Sequence, residues 1–387
     1  MEYYSRPKRN RKQKIVLAIA IISVIFNIVA ILPYIKPYYT MLENKYFPPK
    51  HFAQDSPDKD VIKAVCEATL RHSGTKMSMS EPKGLPLDVI AFFKPQRNSD
   101  SPYNYYTAYG YVGLSYYAIQ AKDSAMMDEL KEKATQMYSP ETKSLSYNFI
   151  KIDQAPIGIF FLNLYKWYHT NDYKQVAQSI FRKIEAWKNA NGIIMYRHDT
   201  DLQLSDAVGM YVPFLMEYFN ATGDSTAYKT ATCNMQAFYA YGVNHETGIP
   251  AHGYNTKNGL PVGSANWGRG IGWYLLAAAY CPQFNDPALA KTLRTFDYTQ
   301  FPGSSEKFDS STALMTEIYK QSKDPARKLS LKFIKPHIHA NGFVADCSGD
   351  TYGLNSYSKM FSESELCNGL LLILVSKFNS NRPLDRI

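Results

Sequence analysis

Cysteine is scarce in this sequence, and its spacing excludes two common kinds of site. The 387 residues include five cysteines, and no two of them form a C-x-x-C pair. Structural zinc sites and thioredoxin-like redox sites use such closely spaced cysteines. We therefore expect no metal site and no redox cofactor. Cys233 and Cys281 fall inside helical patterns and are most simply core residues.

Alternation of apolar and polar residues, the mark of a half-buried strand, never extends beyond a few residues. Apolar residues recur at helical spacing instead. This spacing predicts a helix from Val61 to about His72 and a helical hairpin formed by Tyr103–Ile119 and Ser124–Tyr138. The sequence therefore predicts an all-α protein.

Positive charge is concentrated in the first residues and is modest elsewhere. Residues 2–14 hold six Lys or Arg and one Glu, which is +5 of the total +9, so the rest of the chain carries only +4. A surplus this small does not indicate binding to nucleic acid. We expect no nucleic-acid partner.

One stretch lacks charge altogether. Ile15–Leu32 is eighteen uncharged residues, which is the length of a membrane-spanning helix. The basic residues before it predict a cytoplasmic N-terminus and an extracytoplasmic remainder. A cleaved signal peptide is the alternative, but its apolar region is normally shorter, and Ile28-Val29-Ala30 is a poor cleavage site. An uncleaved anchor is favoured, and the chain would be secreted if the segment were cleaved.

The domain boundaries follow from composition. Residues 1–14 form the basic tail, residues 15–35 the anchor, and residues 36–60 a proline-containing tether. The remainder, residues 61–387, is expected to form one domain.

A repeat of 53 residues runs through this domain. It separates Asp153 from Asp206 and Phe161 from Phe214, and it fits one helical hairpin with a longer return loop. Weaker copies are Gly270–Ala279 with Pro287–Thr295 and Asp309–Tyr319 with Pro325–Pro336, and Phe361–Phe378 contains a last apolar helix.

About six hairpins of this kind can close into a ring of inner and outer helices. A linear array would need polar end caps, whereas the last helix, Leu366–Val375, is very apolar and favours closure. Inner helices of a ring all begin at the same end. Asp153 and Asp206, which head equivalent helices, are therefore expected to lie at one mouth.

An ordered set of motifs resembles a known enzyme family. The set consists of Asp206, Met210, Pro213-Phe214-Leu215, Thr222-Gly223-Asp224, Gln236, Thr247-Gly248, His252-Gly253-Tyr254 and Trp267-x-Arg269-Gly270-x-Gly272-Trp273. It is similar to the unsaturated glucuronyl and rhamnogalacturonyl hydrolases of glycoside hydrolase families 88 and 105. The resemblance implies an (α/α)6 barrel, in agreement with the repeat.

The resemblance also implies a reaction and a catalytic pair. Enzymes of this family hydrate the vinyl ether of a 4,5-unsaturated uronic acid at the non-reducing end of lyase-generated oligosaccharides. Asp206 matches the catalytic acid/base, and Asp153 matches a second, assisting aspartate. A helix N-terminus favours a charged Asp206, whereas a second carboxylate and a partly desolvated pocket raise its pKa. The alternative is that both aspartates are only N-caps.

Four more residues are implied as substrate-binding: His252, Trp267, Arg269 and Trp273. Guanidinium pairs well with the carboxylate of a uronate, which suits Arg269. His252 and Trp273 also fit structural roles, the latter as a core residue. The 31 tyrosines suit a saccharide site, although contacts between helices explain most of them. His337 and His339 are expected to be structural.

Two residues depart from the family pattern. Asn255 stands where Asp is common, and Ile271 stands where Asn is common. An alternative function is therefore a catalytically reduced barrel that binds acidic polysaccharide at the cell surface. The spacing of Thr247–Trp273 is closer to the pectin-active branch, which favours rhamnogalacturonan fragments as substrate.

Overall fold

The computed structural model describes residues 10–47, 49–71, 104–197, 199–265, 267–295, 308–349, 351, 353–355 and 361–379. The chain divides into two compact units, one of residues 1–49 with 80–98 and one of residues 50–79 with 99–387. His72, at the end of the first predicted helix, and Tyr103, at the start of the predicted hairpin, lie outside the described residues.

The first unit contains one long helix, α1, from Arg11 to Tyr46. Its segment Arg11–Val29 has a mean hydropathy of 1.9, and none of it is buried within the protein. This segment is long and apolar enough to cross a membrane. The helix also continues to Tyr46, into residues whose composition predicts an extended tether.

The second unit is built from short helices and small two- or three-stranded antiparallel sheets. Its helices are α2 (Asp58–Arg71), α3 (Tyr105–Ala121), α4 (Ser124–Thr135), α5 (Ile157–Tyr168), α6 (Asn171–Glu185), α7 (Ser205–Thr222), α8 (Ser225–Gly242), α9 (Gly268–Tyr280), α10 (Pro287–Thr295), α11 (Ser310–Lys323) and α12 (Glu365–Ser376). Its strands are β1 (Tyr138–Ser139), β2 (Ser144–Leu145), β3 (Leu202–Leu204), β4 (Gly253–Asn255), β5 (Pro261–Val262), β6 (Cys347–Ser348) and β7 (Phe361–Ser362).

Six of these helices form a closed inner ring. Each of α3, α5, α7, α9, α11 and α12 packs against the next, and α12 packs against α3. The outer helices α4, α6 and α8 pack on α3, α5 and α7, and α2 covers α12. The predicted all-α fold, an (α/α)6 barrel, is confirmed.

The outer position after α11 differs from the prediction. The segment Pro325–Pro336, expected to be a helix, forms two 3-10 turns, Leu331–Phe333 and Lys335–His337. A proline inside an α-helix lacks the N–H donor and disfavours helical geometry in the residue before it. Pro336 therefore prevents an α-helix from continuing through Lys335–His337.

Two glycines permit the ring to close. A Cβ atom on Gly113 of α3 would lie 2.5 Å from the carbonyl oxygen of Gly369 on α12, and a Cβ on Gly369 would collide with the backbone of Tyr109. Side chains at either position would push the two helices apart. The backbones of α3 and α12 touch because both residues are glycine.

A buried carboxylate joins the far ends of the inner helices. Glu217 of α7 is 1% exposed. Its oxygens lie 2.7 Å from Lys166 Nζ on α5 and 2.5 Å from Lys377 Nζ just after α12. Burial raises the pKa of Glu217, but the two lysines outweigh it and lower the pKa to about 2. The ionised carboxylate therefore links three elements of the ring.

Replacing Glu217 with Gln should lower the free energy of unfolding by about 3 kcal/mol at pH 7, because it breaks a buried ion pair. The folded-state pKa of Glu217 is depressed, so its contribution is present above the unfolded pKa of about 4.5 and is lost as the pH falls towards 2. The difference between wild type and Glu217→Gln, measured by urea unfolding, should shrink over that range.

The matched control is Asp172→Asn, which breaks the pair of Asp172 and Lys143, in which both side chains are 33% exposed. A surface pair of this kind contributes at most about 1 kcal/mol. Equal losses in the two variants would contradict the linking role of Glu217.

Candidate active site

Asp206 lies at the mouth formed by the starts of the inner helices. It is the second residue of α7, half-buried, and its Oδ1 accepts a hydrogen bond of 2.9 Å from the Ala207 amide. The N-cap of α7 is Leu204. The alternative that Asp206 is the N-cap is therefore wrong for this residue.

Asp153 lies in a 3-10 turn, Ile152–Gln154, just before α5. The N-cap residues are Lys151 for this turn and Pro156 for α5, so Asp153 is not an N-cap either. The turn packs against α7. The repeat predicted equivalent positions at one mouth, and the two aspartates do lie on neighbouring elements there.

Tyr196 is a site residue that the sequence did not reveal. The negative charge of Asp153, then burial, then the charge of Asp206 raise the pKa of its phenol, against a smaller opposing effect of Arg197. The Tyr196 amide donates to the Leu202 carbonyl over 2.7 Å, which ties the loop to β3. The charges of both aspartates therefore favour the neutral phenol, because they raise the pKa of Tyr196.

His252 reaches the same mouth through the small sheet. Strand β4 pairs with β3 so that Gly253 faces Leu204, and the His252 carbonyl accepts a 2.8 Å hydrogen bond from the Ser205 amide. The backbone of His252 thus holds the start of α7 beside Asp206. Burial and the nearby Arg269 charge lower the pKa of the imidazole to about 4, so His252 is neutral at pH 7.

The side chains of Trp267 and Arg269 extend a series of contacts that begins at His252. The rings of His252 and Trp267 are 4.4 Å apart between centroids, and the Arg269 guanidinium lies 5.5 Å from the Trp267 ring. Arg269 is 2% exposed. Its guanidinium donates to the backbone carbonyls of Ser348 and Gly349 and, over 2.9 Å, to the Ser348 hydroxyl. The structure therefore places these three side chains in one contiguous stack.

Trp273 lies apart from this stack. It is 1% exposed, it sits against Gly209 of α7, and its ring contacts those of Tyr105 and Tyr109. This burial fits the alternative that Trp273 is a core residue at the start of its helix.

Asp309 and Ser348 are two further polar residues at the mouth. Asp309 is the N-cap of α11 and is 3% exposed. Its Oδ2 accepts a 2.6 Å hydrogen bond from the Ser348 hydroxyl, the same group that binds Arg269. The sequence could have indicated Asp309, because this residue begins a weaker copy of the repeat. Nothing in the sequence indicates Ser348.

The departures from the family pattern have local explanations. Asn255 Oδ1 accepts from the Lys257 amide over 2.9 Å and so stabilises the β4–β5 turn. Ile271 is 3% exposed within α9. Neither side chain is placed among the residues of the stack.

The two histidines expected to be structural each bond to a carboxylate. His337 Nδ1 lies 2.7 Å from Asp346, and His339 Nδ1 lies 2.6 Å from Glu363. Across the described part of the chain, no group of three His, Cys, Asp or Glu side chains is placed to hold a metal ion. All five cysteines are free thiols. Cys281 is buried as expected, whereas Cys233 is exposed, so the expectation that Cys233 is a core residue is wrong.

Comparisons with known proteins agree with this architecture. The family model for Glycosyl Hydrolase Family 88 matches residues 77–291, more than half of the chain. No curated protein sequence matches.

Three solved structures illustrate the likeness. A possible GH105 member from Klebsiella pneumoniae aligns with a TM-score of 0.62 and 12% identity, over 86% of this chain and 96% of that one. A heparin-specific unsaturated glucuronyl hydrolase aligns at 0.52 and 13%, over 86% and 99%. An alpha-1,6-mannanase variant from Salegentibacter, in complex with alpha-1,6-mannotetrose, aligns at 0.56 and 13%, over 84% and 99%. At these identities the likeness shows the fold alone.

Proposed function

Because the chain belongs to glycosyl hydrolase family 88, we propose that it removes 4,5-unsaturated uronic acid from the non-reducing end of lyase-generated oligosaccharides. One observation carries the proposal: Asp153 and Asp206 lie on neighbouring elements at one mouth, since the turn that holds Asp153 packs against α7. The charges of both aspartates also raise the pKa of the Tyr196 phenol. Two carboxylates and a neutral donor form a constellation suited to acid/base chemistry.

The proposed reaction is hydration of a vinyl ether. Protonated Asp206 gives its proton to C4, and positive charge develops on C5 and the ring oxygen. The Asp206 carboxylate then takes a proton from a water molecule as that water attacks C5. The hemiketal at C5 opens, and the C1 hemiacetal that results releases the neighbouring sugar.

The mechanism requires Asp206 to hold a proton that Asp153 does not. The start of α7 favours the charged form of Asp206. A neighbouring carboxylate and partial burial act in the opposite direction. We assign the charge to Asp153 and the proton to Asp206.

The stack of His252, Trp267 and Arg269 would orient the uronate. The Arg269 guanidinium already donates to two backbone carbonyls, so its proposed contribution is its positive charge and the placement of Trp267. Trp267 is 3% exposed, so its proposed contribution is to hold His252 and Arg269 in place through its ring contacts. Trp273 would contribute indirectly, by fixing the packing of α9 on α7.

Asp206→Asn should abolish turnover, because an amide cannot exchange the proton. Asn keeps an oxygen acceptor for the Ala207 amide, so the melting temperature should change by only a few degrees. Loss of absorbance of the 4,5 double bond measures turnover. Asp201→Asn, which removes the partner of the exposed Lys257, is the matched control and should remain active. Turnover by Asp206→Asn would contradict the assignment.

The proposed leaving group is a pectin-derived sugar, on the basis of the Thr247–Trp273 spacing. The protein is incubated separately with lyase-generated fragments of rhamnogalacturonan and of glycosaminoglycans. The absorbance of the double bond should be lost with the rhamnogalacturonan fragments. Loss with glycosaminoglycan fragments alone would reverse the preference. Equal binding of saturated and unsaturated fragments without turnover would establish the alternative of a binding-only barrel.

We also propose that α1 is an uncleaved anchor that holds the barrel outside the cytoplasmic membrane. The support is the unburied segment Arg11–Val29, of mean hydropathy 1.9, in which Ile15–Val29 carries no charge and is preceded by basic residues. The full chain should stay in the membrane fraction after carbonate washing and retain its N-terminal residues by mass spectrometry. A soluble protein that begins after residue 30 would identify a signal peptide instead.

A further inference from the structure

A buried polar chain begins at the start of α11. Asp309 is 3% exposed and uses both of its oxygens. Oδ1 accepts from the amide of Ser311 at 2.9 Å and from its hydroxyl at 2.7 Å. Oδ2 accepts from the hydroxyls of Thr312 at 3.1 Å and Ser348 at 2.6 Å. The Ser348 amide also donates to Oδ1, at 3.4 Å. These five bonds fix the orientation of the carboxylate.

Ser348 connects this carboxylate to the guanidinium of Arg269. Its hydroxyl donates to Asp309 and accepts from Arg269 Nη1 at 2.9 Å, and its carbonyl also accepts from Nη1. A single hydroxyl group thus separates a buried negative charge from a buried positive one. The direction of each hydrogen bond is fixed, because an Asp carboxylate can only accept and an Arg guanidinium can only donate.

The chain ends at the candidate active site. Arg269 lies over Trp267, whose ring is 4.4 Å from that of His252. His252 in turn accepts from the Ser205 amide at the start of the helix that carries Asp206. The contacts therefore run without interruption from α11, through β6 and α9, to α7.

We propose that Asp309 and Ser348 are positioning residues for the uronate site. They fix the position of the Arg269 guanidinium, and thereby the positions of its charge and of the Trp267 ring at the mouth. This inference rests on the proposed function, because it names how the substrate-binding stack of that site is supported.

Electrostatics favours this arrangement over a purely structural bond. A guanidinium removed from water needs a compensating charge or a full set of acceptors. Asp309 supplies the charge through Ser348, and the carbonyls of Ser348 and Gly349 supply the acceptors. Removing either the hydroxyl or the charge should let the guanidinium shift while the helices stay packed.

The test compares Ser348→Ala and Asp309→Asn with Ser310→Ala. Ser310 makes a comparable buried bond from the same helix start, from its hydroxyl to the Ala345 carbonyl, and that bond does not involve Arg269. Urea unfolding should show similar losses of stability for Ser348→Ala and Ser310→Ala. Ser348→Thr, which keeps the hydroxyl, serves as the rescue variant.

Kinetics on an unsaturated rhamnogalacturonan disaccharide should then separate the variants. For Ser348→Ala and Asp309→Asn, KM should rise about tenfold, since the first removes a hydrogen bond to the Arg269 guanidinium and the second removes the negative charge that balances it. Because the lost interaction would hold substrate and transition state alike, kcat should stay within about threefold. Ser310→Ala should match wild type, and Ser348→Thr should recover most of the KM.

Calorimetric binding of the same disaccharide to Asp206→Asn, alone and combined with Ser348→Ala, separates the two claims. The positioning role alone would be overturned if the wild type is active, Ser348→Ala has the same KM as Ser310→Ala, and adding Ser348→Ala to Asp206→Asn leaves the affinity unchanged. An inactive wild type, with binding about tenfold weaker on adding Ser348→Ala, would overturn the hydrolase proposal and leave the positioning role supported. Absence of any binding would overturn both.

Discussion

The contact between α3 and α12 is the constraint on which the barrel depends. Gly113 and Gly369 let the two backbones touch, and no side chain could occupy either position without separating the helices. This contact joins the first inner helix to the last, across more than 250 residues of sequence. Without it, the same hairpins would form an open array with an unpaired apolar helix at its end.

Closure gives the two ends of the barrel different properties. At one end, Glu217 binds Lys166 and Lys377 and ties α5, α7 and the end of α12 together. At the other end, the starts of the inner helices collect charged and aromatic side chains from residues far apart in sequence. The half-buried Asp153 and Asp206 lie at this mouth, and the buried stack of His252, Trp267 and Arg269 lies beside them. A rigid ring is what makes such distant residues neighbours.

Residues that obey the repeat were predictable, and residues in return loops were not. The 53-residue spacing placed Asp153 and Asp206 at one mouth, and a weaker copy began at Asp309. Tyr196 and Ser348 lie outside the inner helices, in segments whose path depends on tertiary contacts. The partners of Arg269 are 79 and 80 residues away along the chain, and local patterns carry no information about such contacts. Pro336 was visible in the sequence and accounts for the short turn Lys335–His337, but the turn Leu331–Phe333 before it contains no proline and was not predictable in this way.

The central claim is that this site hydrates a vinyl ether at C4 and C5. The most direct test is to let the full chain act on lyase-generated rhamnogalacturonan fragments in D₂O enriched in ¹⁸O, and to locate the labels by NMR and mass spectrometry. The account predicts deuterium at C4 and solvent oxygen at C5 of the released uronate, together with loss of the double-bond absorbance. Solvent oxygen at C1 with the double bond intact would contradict it, because that outcome belongs to ordinary glycosidic hydrolysis.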